Sequence, residues 1–330
     1  MFDPYERNIN YLRVSITDRC NLRCTYCMPK EGLSRIGHDD ILRYEEIHRI
    51  IRIAAKTGIT KVRITGGEPL VRRGVVQFAA SLHTIPELTD TSLTTNGILL
   101  EDFAESLFRA GIRRINISLD SLDAEKYARI TRGGDIRAVL RGIMKVREIG
   151  FSPIKINIVA IKGFNDDEIL DFARLTLEHP YQIRFIELMP LGHAGIENDG
   201  LYLSNAFVRE RIETLGPLEP VNSRGNGNDG PARMYRMKGG MGEIGFISPI
   251  SSHFCRSCNR LRLTADGQLR ACLLSDNETD LKGPLRSDCG DGELMALIEG
   301  AIARKPQHHE MACHESQVKK CMKEMQQIGG

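Results

Sequence analysis

The chain has 330 residues and carries 45 Lys plus Arg against 43 Asp plus Glu, a formal charge of +2. Such a balance excludes a strong overall field toward nucleic acid or an anionic membrane, so an anionic ligand must be drawn by local placement of charge. No apolar run approaches the roughly 18 residues that span a bilayer, and MFDPYERNIN lacks the apolar core of a signal peptide, so the expected location is the cytoplasm.

Up to about Gly192, short β-branched segments alternate with helical patterns, the rhythm of a parallel sheet. Six strands are predicted: Tyr11 to Thr17, Lys61 to Thr65, Ser92 to Asn96, Arg114 to Asp120, Ile154 to Ile161 and Gln182 to Met189. Helices such as Tyr44 to Thr57 and Ile136 to Ile149 separate them.

Strand one sets Leu12, Val14 and Ile16 against Arg13, Ser15 and Thr17, and strands two and four alternate in the same way. A period of two places the apolar set on the helix side and leaves a polar face opposite. Polar faces on several strands imply a barrel whose lumen holds a polar ligand, with Arg13, Lys61, Arg63, Lys155 and Arg184 pointing into it. An antiparallel sheet with one wet face would give the same alternation, but the intervening helices argue against hairpins.

Nine Cys without an export signal favour metal ligation or burial over disulfides. Cys20, Cys24 and Cys27 form C-x3-C-x2-C directly after strand one, where barrel enzymes place their chemistry. Structural zinc takes four closed ligands, whereas three thiolates on one loop leave one iron of a cluster open to substrate. On strand two, RITGGEPL follows. Gly66 and Gly67 remove side chains so that backbone can approach a ligand closely, and Glu68 can offer a carboxylate.

Beyond Gly192 a helix near Ser204 to Leu215 precedes the Gly-rich loop NSRGNGNDGP, short strands near Arg233 to Lys238, Glu243 to Ser248 and Leu261 to Thr264, and a helix near Gly292 to Arg304. Cys255, Cys258 and Cys272 form C-x2-C-x13-C, which by spacing alone could also be a zinc knuckle with Cys289 as fourth ligand. His308, His309, Cys313 and His314 lie in a polar segment that reads as a solvated linker. Val318, Met322, Met325 and Ile328 recur at helical spacing and predict a short packed helix. Cys321 is expected to pack with it.

CNLRCTYC and RITGGEPL together resemble the radical S-adenosylmethionine superfamily. CRSCNRLRLTADG, INISLDSLD, FIELMPLG, GPARMYR and the closing IGG extend the resemblance to the molybdenum cofactor biosynthesis protein A family of GTP 3',8-cyclases. The resemblance implies two 4Fe-4S clusters, one on Cys20, Cys24 and Cys27 and one on Cys255, Cys258 and Cys272. It also implies S-adenosylmethionine at Tyr26, Gly66, Gly67, Glu68, Ser118 and Met189. GTP would contact Arg13, Arg63, Thr94, Lys155, Arg260 and Arg262, with Arg184 added from its inward place on strand six, and Arg13, Arg260, Arg262, Gly329 and Gly330 would lie at the chemistry.

The expected fold is α/β, an incomplete parallel (βα)6 TIM-like barrel over residues 1–192, closed by a smaller α+β region over 193–330. The implied activity joins ribose C3' to guanine C8 of GTP, with an external electron donor and delivery of product to cyclic pyranopterin monophosphate synthase. Membrane and nucleic acid are not expected partners, and a homodimer is left open. Two alternatives remain at this stage: a radical enzyme that modifies a peptide, and a zinc-stabilised nucleic-acid-binding module.

Overall fold

The computed structural model describes residues 1–34, 36–192, 200–221, 230–309 and 323–329. Most of NSRGNGNDGP, together with Cys313, His314, Val318, Cys321, Met322 and Gly330, lies outside the described residues.

Six parallel strands run side by side in chain order: β1 (Tyr11–Ser15), β2 (Lys61–Thr65), β3 (Asp90–Thr95), β4 (Arg114–Ser118), β5 (Ile154–Ala160) and β6 (Gln182–Glu187). The connecting helices are α1 (Tyr44–Lys56), α2 (Val75–Ser81), α3 (Leu100–Arg109), α4 (Ala124–Thr131), α5 (Ile136–Ile149) and α6 (Ile169–Glu178). Each predicted strand begins within two residues of its expected position; β2 ends as expected, and in the other five the regular ladder stops one or two residues short of the predicted end. Alternation sends Leu12, Val14, Val62, Ile64, Ile117 and Ile156 to the helix side, where all are essentially inaccessible. Burying each such side chain contributes about 1.5–3 kcal/mol.

The second half of the chain does more than cover one end. After α7 (Asn205–Glu213) come β7 (Leu218–Pro220), β8 (Arg233–Met237) and β9 (Glu243–Ile247), and β9 joins β6 in parallel. β10 (Arg260–Leu263) joins β1 in parallel at the other edge, and β11 (Gln268–Arg270) and β12 (Glu278–Asp280) follow antiparallel. The result is one twelve-stranded sheet with eight consecutive parallel strands. Helices α8 (Lys282–Arg286), α9 (Asp291–Ala303) and α10 (Met325–Ile328) complete the described elements. Cys289 is buried in the main core, where its carbonyl accepts from Arg49 Nη2 at 2.6 Å.

Register decides which side chains meet on the inner face. Arg262, Arg13 and Arg63 stand directly opposite one another across β10, β1 and β2, and Asn157 pairs with Ser118 and Arg184 across β4, β5 and β6. Three adjacent strands thus align three guanidinium groups. Among the described residues, no helix is long and apolar enough to cross a membrane.

Candidate active site

The first cysteine loop leaves the C-terminal end of β1 and is braced by the end of α4. Arg23 N–H and Thr25 N–H donate to Thr131 and Ile130 carbonyls at 3.1 and 2.9 Å. Within the loop, Cys27 N–H donates to the Cys24 carbonyl at 3.0 Å. All three thiols face one cavity of about 300 Å³. Burial pushes Cys20 up to about 11, with Glu68 adding to the shift, and Cys27 up to about 12, with the Cys20 thiol adding to it. Burial and then Cys27, Asp120 and Cys20 raise Cys24. Three thiolates this close are unfavourable unless a cation shares them, so the donor set fits an iron cluster.

Gly66 and Gly67 lie behind this loop. A Cβ on Gly67 would come within 2.4 Å of the Arg19 carbonyl oxygen, and one on Gly66 within 2.8 Å of the Thr17 carbonyl oxygen. The close approach they permit is therefore to the cysteine loop itself, and Gly67 N–H donates to Thr17 O at 2.7 Å. Glu68 accepts from Leu70 N–H at 3.1 Å, Thr95 Oγ1 at 2.8 Å and Asn96 N–H at 2.7 Å. Burial raises its carboxyl to about 7 despite these donors. With three donors already placed, the carboxylate keeps room for one more.

Tyr26, Ser118 and Met189 line the same cavity. Tyr26 donates its hydroxyl to Asp120 Oδ2 at 2.6 Å, and Asp120 Oδ1 accepts from Val159 N–H at 2.8 Å.

Deeper in the cavity the character turns cationic. Arg13, Arg63, Arg184, Arg260 and Arg262 all line it, with Thr94 between them. Burial and neighbouring cations pull Arg13 and Arg184 down to about 9, which still leaves both charged near neutrality. Arg262 is lowered by the same combination. Among the described residues, Arg63, Arg184, Arg260, Arg262 and Lys155 form no ion pair with a carboxylate. Thr94 Oγ1, Asn157 Oδ1 and Arg184 Nε are buried without a hydrogen-bond partner. Unpaired buried cations and polar atoms are costly, and an oligophosphate with a polar base would satisfy them.

Lys155 does not line the cavity. It occupies the inner face near the start of β5, where burial and then Arg184, Arg114 and Arg63 depress it to about 5. Lys61, expected inside on alternation, is likewise buried below the lining residues.

The second cysteine group faces the first across this cavity. Cys255 and Cys258 bracket a single turn before β10, and Cys272 follows β11. Burial pushes the Cys258 thiol up, but Arg260 and Lys305 more than offset it and bring it down to about 6. Cys289 belongs to the apolar core and does not line the cavity, so the zinc knuckle with Cys289 as fourth ligand is not assembled. Ligand atoms of His253, Cys255 and His308 lie within 4.8 Å of one another. A divalent ion there would compete with the three-thiol set for Cys255.

Gly329 also reaches this face. Its carbonyl accepts from Arg262 Nη1 at 2.7 Å, its φ is +78°, and a Cβ would come within 2.8 Å of both Ser15 and Thr65.

Two family models match the chain: the radical SAM superfamily over residues 14–176 and Molybdenum Cofactor Synthesis C over 181–311. The GTP 3',8-cyclase of Moorella thermoacetica is 51% identical over the full length of both chains, and that of Pelotomaculum thermopropionicum is 49% identical, again over both full lengths. The chain belongs to the GTP 3',8-cyclase family. Membership carries two 4Fe-4S clusters and S-adenosylmethionine as the family's cofactors, and it separates the chain from the zinc-module and peptide-modifying alternatives. Among solved structures, Streptococcus suis SuiB bound to S-adenosylmethionine has a TM-score of 0.57 at 15% identity, covering 92% of this chain and 76% of that one. SuiB bound to its precursor peptide has a TM-score of 0.59 at 14% identity, covering 91% and 71%. At such identities the likeness shows the radical SAM fold alone.

Several cavity residues were not singled out from sequence: Tyr11, Asn96, Asp120, Asn157 and Gln326. Tyr11, Asp120 and Asn157 lie on the inward alternation of β1, β4 and β5, so extending that pattern would have found them. Nothing local marks Gln326, whose side chain reaches the Asp18 carbonyl.

Proposed function

We propose that this chain cyclises GTP to (8S)-3',8-cyclo-7,8-dihydroguanosine 5'-triphosphate, the first step of molybdenum cofactor biosynthesis. The observation that carries the reading is a belt of cations between two three-thiol sites in one cavity, of which Arg63, Arg184, Arg260 and Arg262 form no ion pair with a carboxylate among the described residues. Cys20, Cys24 and Cys27 hold the first cluster, with Tyr26, Gly66, Gly67, Glu68, Ser118 and Met189 around S-adenosylmethionine. Cys255, Cys258 and Cys272 hold the second cluster. When bound, the first cluster and S-adenosylmethionine supply one-electron chemistry and hydrogen-atom abstraction.

The chain's own residues do the positioning. Arg13, Arg63, Arg184, Arg260 and Arg262 cage the triphosphate and purine, Lys155 adds its charge from behind them, and Thr94 offers its unpaired hydroxyl. Holding the ribose in one orientation converts a search into a near-attack geometry, and the enclosing sheet excludes water from reactive species. Residues 1–192 supply the first cluster, and residues 193–330 supply the second cluster, Arg260, Arg262 and the Gly329 segment. An external electron donor in the cytoplasm and a synthase that makes cyclic pyranopterin monophosphate complete the scheme.

Anaerobic incubation with S-adenosylmethionine, a reductant and each nucleoside triphosphate in turn tests the reading. Only GTP is expected to yield cyclised product. Cyclised product from another nucleotide, or S-adenosylmethionine cleavage without any nucleotide product, would overturn it.

A second expectation concerns protons. Lys155 titrates at about 5 in the folded chain. Between that value and roughly 10.4 the unfolded chain binds the extra proton, so this site's contribution to folding stability rises with pH across that window. A bound triphosphate restores the ammonium. Calorimetry at pH 7.5 in buffers of different ionisation enthalpy is expected to show uptake of about one proton per GTP. Lys155→Met should abolish it, and equal uptake in that variant would assign the proton elsewhere.

A further inference from the structure

Two buried cations outside the substrate cage hold all three chain segments of the second cysteine group. Lys305, 3% exposed, follows α9, and its Nζ donates to the Arg260 carbonyl at 2.8 Å and to the Ala271 carbonyl. Arg260 lies two residues beyond Cys258, and Ala271 immediately precedes Cys272. Arg7 donates from Nη1 to the Cys255 carbonyl at 2.9 Å. The same guanidinium bonds the Gln307 and Pro306 carbonyls at 3.2 and 2.8 Å, which fixes the segment that carries Lys305.

The two cations differ in charge balance. Arg7 is neutralised by Asp3, with Nε to Oδ2 at 2.6 Å. Lys305 donates only to carbonyls and has no carboxylate partner among the described residues. A buried ammonium without a counter-ion is strongly unfavourable, so negative charge must come from nearby. Burial lowers the Lys305 pKa, and Cys258 and Cys272 act against that shift, so they are the groups placed to supply that charge.

We propose that Lys305 is a positioning residue for the second cluster: it joins the Cys258 and Cys272 segments through their carbonyls and serves as the buried counter-charge of the thiolate-bound iron. This rests on the reading that Cys255, Cys258 and Cys272 hold that cluster. Reduction adds a negative charge, which a neighbouring ammonium stabilises, so Lys305 raises the cluster's reduction potential.

The test uses the full chain with Cys20, Cys24 and Cys27 each replaced by Ala, so that the second site alone takes up iron. Reduction is followed by electron paramagnetic resonance in a redox titration without GTP. Lys305→Met is expected to keep its iron and shift the reduction equilibrium at least about tenfold toward the oxidised cluster, about 59 mV. Lys305→Arg, which keeps charge and donors, is expected to return within about threefold of the parent. Iron lost from Lys305→Met at unchanged melting temperature, and retained in Lys305→Arg, also supports the proposal. Full iron with an unchanged potential in Lys305→Met overturns it. So does a fall in melting temperature with iron lost from both variants, which would make Lys305 a core residue only. If the parent without a Lys305 substitution binds no cluster, the ligand assignment itself falls, and the two failures are told apart by that control.

Discussion

Cys24→Ser is expected to abolish S-adenosylmethionine cleavage, with iron falling from about eight to about four per chain. A serine hydroxyl is a far harder ligand than a thiolate, and the loop cannot shift to compensate. Its neighbour Thr25 is pinned to Ile130 at 2.9 Å, and the flanking Gly67 and Glu68 are bonded to Thr17 and Arg19 at 2.7 and 2.8 Å. Cys258→Ser should differ in kind. It leaves the first site untouched, so some uncoupled cleavage continues while cyclised product disappears. Chromatography of deoxyadenosine and product, beside an iron assay, reads both variants. Deoxyadenosine from Cys24→Ser would mean that the first site is misassigned, and equal loss of both activities in the two variants would deny the sites separate roles.

Gly329→Val is expected to lower cyclised product at least roughly tenfold, about 1.4 kcal/mol in barrier, at unchanged iron content. Its backbone is left-handed, with φ +78°, where a β-branched residue is strained. The added carbon would also press within 2.8 Å of Ser15 and Thr65. Both effects push the segment out of the cavity and break the 2.7 Å bond from Arg262 to the Gly329 carbonyl. Arg262 would then be free to swing, although neither cluster depends on it. Full turnover in Gly329→Val, measured against GTP binding by the same preparation, would return this segment to a packing role.

What could be read from sequence follows the range of the interaction. Alternation in β1, β2 and β6 is local, so the inner face of Arg13, Arg63 and Arg184 was legible before any pairing was known. Depth along a strand was less so: Lys155 and Lys61 share that face but sit below the cavity, because strand stagger decides height. The pairings of β9 with β6 and β10 with β1 were not legible, since nothing in FISP or RLRL names a partner on the far side of the chain. The glycines of GGEP were marked, but for approach to a ligand; their packing against Thr17 and Arg19 is a tertiary fact. Nothing in the sequence around Lys305 marks it, and only the carbonyls of Arg260 and Ala271 reveal its place.

The pairing of β1 with β10 bears on how the molecule is made. β1 is synthesised long before β10, so one of its two edges stays open until β10 exists, and β6 waits in the same way for β9. Parallel pairing at such separation carries a large loop-closure cost and closes late. Until then the nascent sheet exposes two unpaired edges flanked by Val14, Ile183 and Phe185, which are buried in the finished fold. Exposed apolar edges of this kind are templates for association between chains. A fragment ending near Gly192 should therefore aggregate, and slow synthesis between β6 and β10 should cost yield even when every cofactor is plentiful.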